Sequence, residues 1–210
     1  MKTPDAEMAP RDIERRSFEI ISEEMRALGL DVADDIAPVV KRVIHTSADF
    51  DYARTLCFSE DAVGKGVAAL RDGCPIVTDT RMAMAGINGG ALRAAGSEVH
   101  CHIADDDVAE TARERGCTRS RAAVEKSACL RPEAIYAVGN APTALIRICE
   151  LIQEGRLRPR LVIGAPVGFV NVVESKELLL RCNVPHIVAR GRKGGSNVAA
   201  AICNALLYLL

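Results

Sequence analysis

Twelve consecutive residues, Lys41-Arg42-Val43-Ile44-His45-Thr46-Ser47-Ala48-Asp49-Phe50-Asp51-Tyr52, hold the first histidine of the chain with two cations, two hydroxyls and two carboxylates. An imidazole is the side chain suited to giving and taking a proton near neutral pH. Ile36, Val39, Val40, Val43 and Ile44 recur at i, i+3, i+4, i+7 and i+8, the repeat of a half-buried helix. That helix would carry His45 in its last turn, with Arg42 one turn back and Lys41 at i−4. The helix C-terminus favours an imidazolium by about 0.3–1 kcal/mol, and the two cations oppose it. General acid–base chemistry is one reading. A ring that merely caps its own helix fits the same residues.

Other chemistry is carried by charged or glycine-bearing segments: Thr78-Asp79-Thr80-Arg81, Asp105-Asp106-Asp107, Gly139-Asn140-Ala141-Pro142-Thr143, Gly164-Ala165-Pro166-Val167-Gly168 and Arg190-Gly191-Arg192-Lys193-Gly194-Gly195-Ser196. The last combines three cations with glycines ahead of a helix, a place for an anion. Neither a phosphate loop nor a dinucleotide fingerprint is present. Thr118-Arg119-Ser120-Arg121 adds cations, with Thr118 or Ser120 as a possible helix cap, and simple surface capping explains it equally well. Arginine pairs with carboxylates through a two-pronged fork, so Arg42, Arg119 and the Arg190–Lys193 run together point to a substrate with several carboxylates. His100-Cys101-His102 looks like a metal-ligand cluster. In a strand, however, its histidines face one way and the cysteine the other, so no metal site is expected.

The elements that would position these groups follow from periodicity. Arg11 to Leu28 reads as an amphipathic helix with Ile13, Ile20, Ile21, Met25 and Leu28 as its apolar stripe and Gly29 as its end. Ser17 interrupts that stripe; it either bonds back to a carbonyl one turn earlier or faces a cavity. The His45 helix follows, with Asp34 or Asp35 as N-cap and Pro38 in its first turn. A third helix, capped by Ser59, runs to Arg71. Beyond it, β-rich runs at Cys74–Val77, Glu98–Ile103, Ile135–Val138, Leu161–Ile163 and His186–Ala189 alternate with helical patterns at 88–95, 105–130 (broken near Gly116), 141–154, 172–182 and 195–208. This alternation specifies one three-layer α/β/α domain over residues 1–210, with a mainly parallel sheet of about five strands preceded by two N-terminal helices. The charged segments then become loops at the carboxyl ends of the strands, where such sheets bind ligands.

Bulk properties narrow the function classes. With 27 basic and 28 acidic residues among 210 and no Trp, the chain is a poor candidate for binding nucleic acid. The N-terminus has no apolar signal core, and the longest apolar run, Val198 to Leu210, is broken by Asn204 and too short to span a bilayer. A soluble cytoplasmic protein with no membrane partner is expected. The eight cysteines include no C-x-x-C pair and read as buried thiols rather than a disulfide framework.

Six blocks also stand in the order of a known family. They are Glu14-Arg15-Arg16-Ser17-Phe18, Arg42-Val43-Ile44-His45, Thr118-Arg119-Ser120, Gly139-Asn140-Ala141-Pro142-Thr143-Ala144-Leu145, Pro166-Val167-Gly168-Phe169-Val170 with Glu174-Ser175-Lys176, and Gly191-Arg192-Lys193-Gly194-Gly195-Ser196. Together they resemble precorrin-8X methylmutase, from about Ile13 to Ala205. The resemblance implies an isomerase of corrin-ring biosynthesis that moves a methyl group from ring carbon eleven to ring carbon twelve, giving hydrogenobyrinate, or cobyrinate when cobalt is already bound. It implies no organic cofactor, His45 as catalytic acid/base, and Ser17, Arg42 and Arg119 as substrate contacts. It also implies a homodimer with the active site near the subunit interface. Asn140, Arg192, Lys193 and Ser196 complete the expected substrate-binding set; Arg121 is a cation without an assigned role. The alternatives are a catalytically silent corrinoid-binding or channelling protein and, on the Arg190–Ser196 loop alone, a generic anion-binding enzyme.

Overall fold

The structure, a computed structural model, describes residues 9–210. Two helices lead, α1 (Pro10–Ala27) and α2 (Ala37–Ser47), followed by a single turn α3 (Tyr52–Thr55), strand β1 (Leu56–Phe58) and α4 (Ala62–Arg71). Then come β2 (Ile76–Thr78), α5 (Arg81–Gly86), α6 (Gly89–Ala94), β3 (Val99–His100), α7 (Asp106–Glu114) and α8 (Arg119–Leu130). The chain finishes with β4 (Ile135–Val138), α9 (Pro142–Gln153), β5 (Leu161–Gly164), α10 (Val172–Leu179), β6 (His186–Ala189) and α11 (Ser196–Leu207).

The strands form one sheet in the order β1-β6-β5-β4-β2-β3. All neighbours are parallel except β1, which runs antiparallel to β6 with Leu56 opposite Ala189. The expected five parallel strands are therefore present, and β1 is an addition. Three residues are too few for alternation to show. Ile76, Ile135, Ala137, Leu161, Ile163, Ile187 and Ala189 pack into one core with α1, α2, α4 and α11. The alternate residues Val77, Tyr136, Val138, Val162 and Val188 pack into a second core with α8, α9 and α10. Covering both faces explains why β4, β5 and β6 are buried at every position.

Three expected details differ. Of the expected apolar stripe, Ile21 and Met25 are buried, while Ile13, Ile20 and Leu28 stay exposed. Periodicity marks a face, but a neighbour must cover it, and α2 covers only part of this one. Helix α1 does end as expected: Gly29 takes φ +63°, and the N–H of Leu30 reaches the Met25 carbonyl at 2.9 Å. Neither Asp34 nor Asp35 caps α2. Its N-cap is Ile36, already in helical backbone with no side-chain cap, because the chain enters through a turn in which the Ala33 carbonyl accepts from Ile36 and Ala37. Nor does Ser59 cap α4; its hydroxyl accepts the His186 N–H at 2.9 Å and ties the start of β6 to the end of β1.

Candidate active site

Val39, Val40, Val43 and Ile44 are at most 1% exposed, so α2 is fixed by one fully buried stripe. Each such side chain contributes about 1.5–3 kcal/mol when taken from water. Burying that stripe leaves Arg42 partly exposed and His45 exposed. Helix α1 crosses against α2 and presents Glu14 and Phe18, at i and i+4, to these two groups. The imidazole of His45 stacks on the Phe18 ring with centroids 5.2 Å apart and planes 8° from parallel. The guanidinium of Arg42 lies over the same Phe18 ring at 4.6 Å and over Tyr208, beyond the end of α11, at 4.8 Å. Glu14 accepts a hydrogen bond from Nη1 of Arg42, and that bond holds its carboxyl below the usual range against the upward push of burial. Phe18 is thus shared between the imidazole and the cation. Ser17 bonds back to the Ile13 carbonyl at 2.9 Å and remains half-exposed on the same helix.

The loop after α2 is tied to the far side of the sheet edge. Because β1 is antiparallel, the residues before it lie at the carboxyl end of β6, and the Arg190 N–H donates to the Thr55 carbonyl at 2.8 Å. Lys193 Nζ reaches Asp49 at 2.7 Å and Asp51 at 3.2 Å. The hydrogen bond from Lys193 lowers the Asp49 carboxyl, and the two carboxylates raise the ammonium. Lys193 is therefore engaged as a tether rather than held open for an anion. Arg190, the first cation of that loop, pairs with Glu177 through both guanidinium prongs at 2.7 and 3.2 Å. Arg192 differs: it is exposed, carries no ion pair among the described residues, and stands 5.5 Å from the ring centroid of Phe169. Ser196 is buried, its hydroxyl 2.7 Å from that of Thr80, which caps α5.

On the other side of the sheet, the start of α8 is brought to the same edge by a hydrogen bond from Thr118 to Thr143 at 3.0 Å. Thr118, not Ser120, is the cap of α8. Arg119, next to it, is exposed and free of ion pairs among the described residues. Arg121 is accounted for by a two-pronged pair with Glu150 at 3.2 and 2.8 Å, part of a network with Arg147. Asn140 has an exposed side chain on a loop gripped from below by Asp79, whose carboxylate accepts the N–H groups of Gly139, Asn140 and Ala141 at 2.8, 2.9 and 2.7 Å. Burial pushes the Asp79 carboxyl up against the pull of those three donors. Gly139 serves a close approach, but to the chain itself: an added Cβ would stand 2.6 Å from the Ser196 Cα.

His45 and Arg42 thus form one cluster around Phe18 on the α1/α2 side of the carboxyl edge, with Ser17 next to Phe18 in the chain, and Arg119 and Asn140 lie around α8 and α9. No hydrogen bond or ion pair among the described residues joins the two groups, and a ligand touching both would span the edge of the sheet. Spacing does not single out Phe18 or Tyr208 as partners, and it marks the Asp49/Asp51 carboxylates beside His45 without showing that Lys193 meets them. Phe18 and Glu14 share a helix face, which is a usable signal; Tyr208 meets Arg42 only through the packing of α11 on α2. At the carboxyl end of the edge strand β3, the His100 and His102 rings stack at 6.3 Å, and Nδ1 of His102 lies 2.7 Å from Asp105. Among the described residues no three His, Cys, Asp or Glu side chains converge as a metal site.

The chain matches the family model described as precorrin-8X methylmutase over residues 12–209. It is 46% identical over 205 residues to the cobalt-precorrin-8 methylmutase of Salmonella typhimurium, with 96% of each chain covered. To the precorrin-8X methylmutase of Pseudomonas aeruginosa it is 40% identical over 196 residues, covering 92% of this chain and 93% of that one. The solved structure of a precorrin-8X methylmutase from Thermus thermophilus superposes with a TM-score of 0.85 at 42% identity, covering 94% of this chain and 96% of that one.

Proposed function

The chain belongs to the precorrin-8X methylmutase family and is an isomerase of cobalamin biosynthesis, and from that premise we propose that His45 is its acid/base, acting on a corrinoid held by arginines at the carboxyl edge of the sheet. The reaction in this reading is the shift of a methyl group from ring carbon eleven to ring carbon twelve. Substrate and product are isomers, so any proton that His45 lends to the conjugated ring must return to it, and no electron is gained or lost. A migrating methyl group needs the macrocycle in the right tautomer, which one imidazole can set. General acid–base catalysis supplies on the order of 10²–10⁴ in rate, and holding the ring in a reactive shape must supply the remainder.

The observation that carries this reading is the stack of His45 on Phe18 with Arg42 over the same ring. It fixes the plane of an exposed imidazole and sets a guanidinium within one helical turn of it. Arg119 and Arg192, exposed and without ion pairs among the described residues, are the forks for the carboxylate arms, with Arg42, Ser17 and Asn140 as further contacts. Lys193 and Ser196, expected beside them, act in this reading by holding the loop, since both side chains already have partners. No helix among the described residues is long and apolar enough to cross a membrane. Eight free cysteines suit the reducing cytoplasm. The exposure of Met82, Phe169 and Val170, at 72, 81 and 77%, supports a homodimer that covers them.

The experiment is turnover of a substrate carrying a labelled methyl group, followed by NMR, with wild-type chain and His45→Ala. Migration by the wild type alone, with product still bound by both, supports the proposal. Migration by the variant at the wild-type rate removes His45 from the chemistry, and binding without migration by the wild type leaves only a corrinoid carrier.

A further inference from the structure

The Glu174-Ser175-Lys176 segment lies in α10, away from His45, and the chemistry above gives it no task. Lys176 is nevertheless an unusual residue. Its side chain is fully buried, at 0% exposure. Among the described residues no carboxylate pairs with it. Its Nζ donates instead to two main-chain carbonyls, of Gly191 at 2.8 Å and Lys193 at 2.7 Å. Taking an ammonium out of water without a counter-ion is costly, so a chain that keeps one there gains something else from it.

Those two carbonyls flank Arg192. The loop they belong to has no regular structure, and Gly191 and Gly195 take φ of +82° and +134°. Its other main-chain anchors are the Gly195 N–H on the Ala165 carbonyl at 2.9 Å and the Arg192 carbonyl, which accepts from Gly168 at 3.3 Å. Lys193, gripped by its carbonyl from below, sends its ammonium to Asp49 and Asp51, just past His45. A continuous chain of contacts therefore runs from Lys176 through the Gly191–Lys193 backbone to the loop that follows the His45 helix.

We propose that Lys176 is a positioning residue of the isomerase, clamping the Gly191–Lys193 backbone so that Arg192 faces the substrate and Lys193 reaches the His45 loop. The inference rests on the functional reading above only for the identity of the ligand. Burial lowers the Lys176 pKa to about 8, which leaves the ammonium charged at neutral pH with all three N–H donors.

The test is hydrogen–deuterium exchange of the full chain together with affinity for the corrinoid product, comparing wild type with Lys176→Met, which keeps the length of the side chain and removes the donors. The clamp predicts exchange of the 191–196 amides faster by about tenfold or more, with strands β4 to β6 unchanged, and product affinity weaker by about tenfold or more. Lys176→Gln, which restores an uncharged N–H donor, should fall between the two. It also serves as the variant to read if Lys176→Met does not fold. Unchanged loop exchange would overturn the clamp, and faster exchange with unchanged affinity would overturn its positioning role. Failure of the wild-type chain to bind any corrinoid would instead overturn the functional reading, while exchange still reports on the clamp.

Discussion

The imidazole of His45 and the ring of Phe18 lie 5.2 Å apart and almost parallel, joining the last turn of α2 to the middle of α1. An exposed histidine would otherwise sample several rotamers, and here one aromatic face selects its plane. The same ring carries Arg42 at 4.6 Å. Loss of Phe18 therefore releases the His45 imidazole and the Arg42 guanidinium together, in the proposed reading the acid/base and a substrate fork.

Aromatic pairs contribute about 0.5–1.5 kcal/mol beyond their buried area. Phe18→Leu should accordingly lower kcat by roughly 2- to 10-fold, while Phe18→Tyr should stay close to wild type. Steady-state kinetics on purified variants checks this, and equal kcat for all three would show that the stack does not orient the imidazole.

Arg119 and Arg192 are two exposed cations at the carboxyl edge that carry no ion pair among the described residues. A charge-assisted hydrogen bond contributes about 1.5–3 kcal/mol, so Arg119→Ala and Arg192→Ala should each weaken product binding by roughly 10- to 150-fold. Lysine should not fully restore it, because a point charge lacks the fork. Calorimetry with the corrinoid product reads both effects.

The Glu14–Arg42 pair gives a pH dependence of definite sign. Hydrogen bonding to Arg42 holds the folded-state Glu14 carboxyl below its ordinary value of 4.5. The pair's contribution is therefore complete above that value and is lost as pH falls through the depressed one. Glu14 is half-exposed, so solvent screening keeps the contribution small. Between pH 7 and pH 3 the wild-type Tm should fall more steeply than that of Glu14→Gln; parallel curves would contradict the pairing.

Arg147 is 6% exposed and bridges Glu125, Glu150 and Glu154 at 2.9, 2.7 and 2.8 Å. Removing it takes from three carboxylates the one buried cation they share, leaving each with a single, more exposed arginine. Arg147→Met should cost about 2–4 kcal/mol in denaturant unfolding, with kcat per folded molecule unchanged, since nothing in this network touches the His45 cluster.

The sequence was most legible where burial on both faces writes a continuous apolar run, as in Ile135–Val138 and His186–Ala189. It was least legible where structure is short or borrowed. Leu56–Phe58 becomes a strand only because β6 lies beside it, and Ser59 bonds to His186 rather than to its own helix. The stripe of α1 showed direction but not coverage, which is why Ile13, Ile20 and Leu28 read as core and are exposed. At the site, helical spacing was enough to set Arg42 one turn from His45. It could not show that Tyr208 closes over Arg42, or that Lys193 is already committed to Asp49, because both contacts depend on how distant elements pack.

The most direct measurement is single-turnover conversion of precorrin-8X by His45→Ala, monitored by the visible spectrum and by NMR of the labelled methyl group. The variant is expected to bind the product corrinoid as the wild type does and to move no methyl group on the wild-type timescale. Conversion at the wild-type rate would contradict an acid/base role for His45.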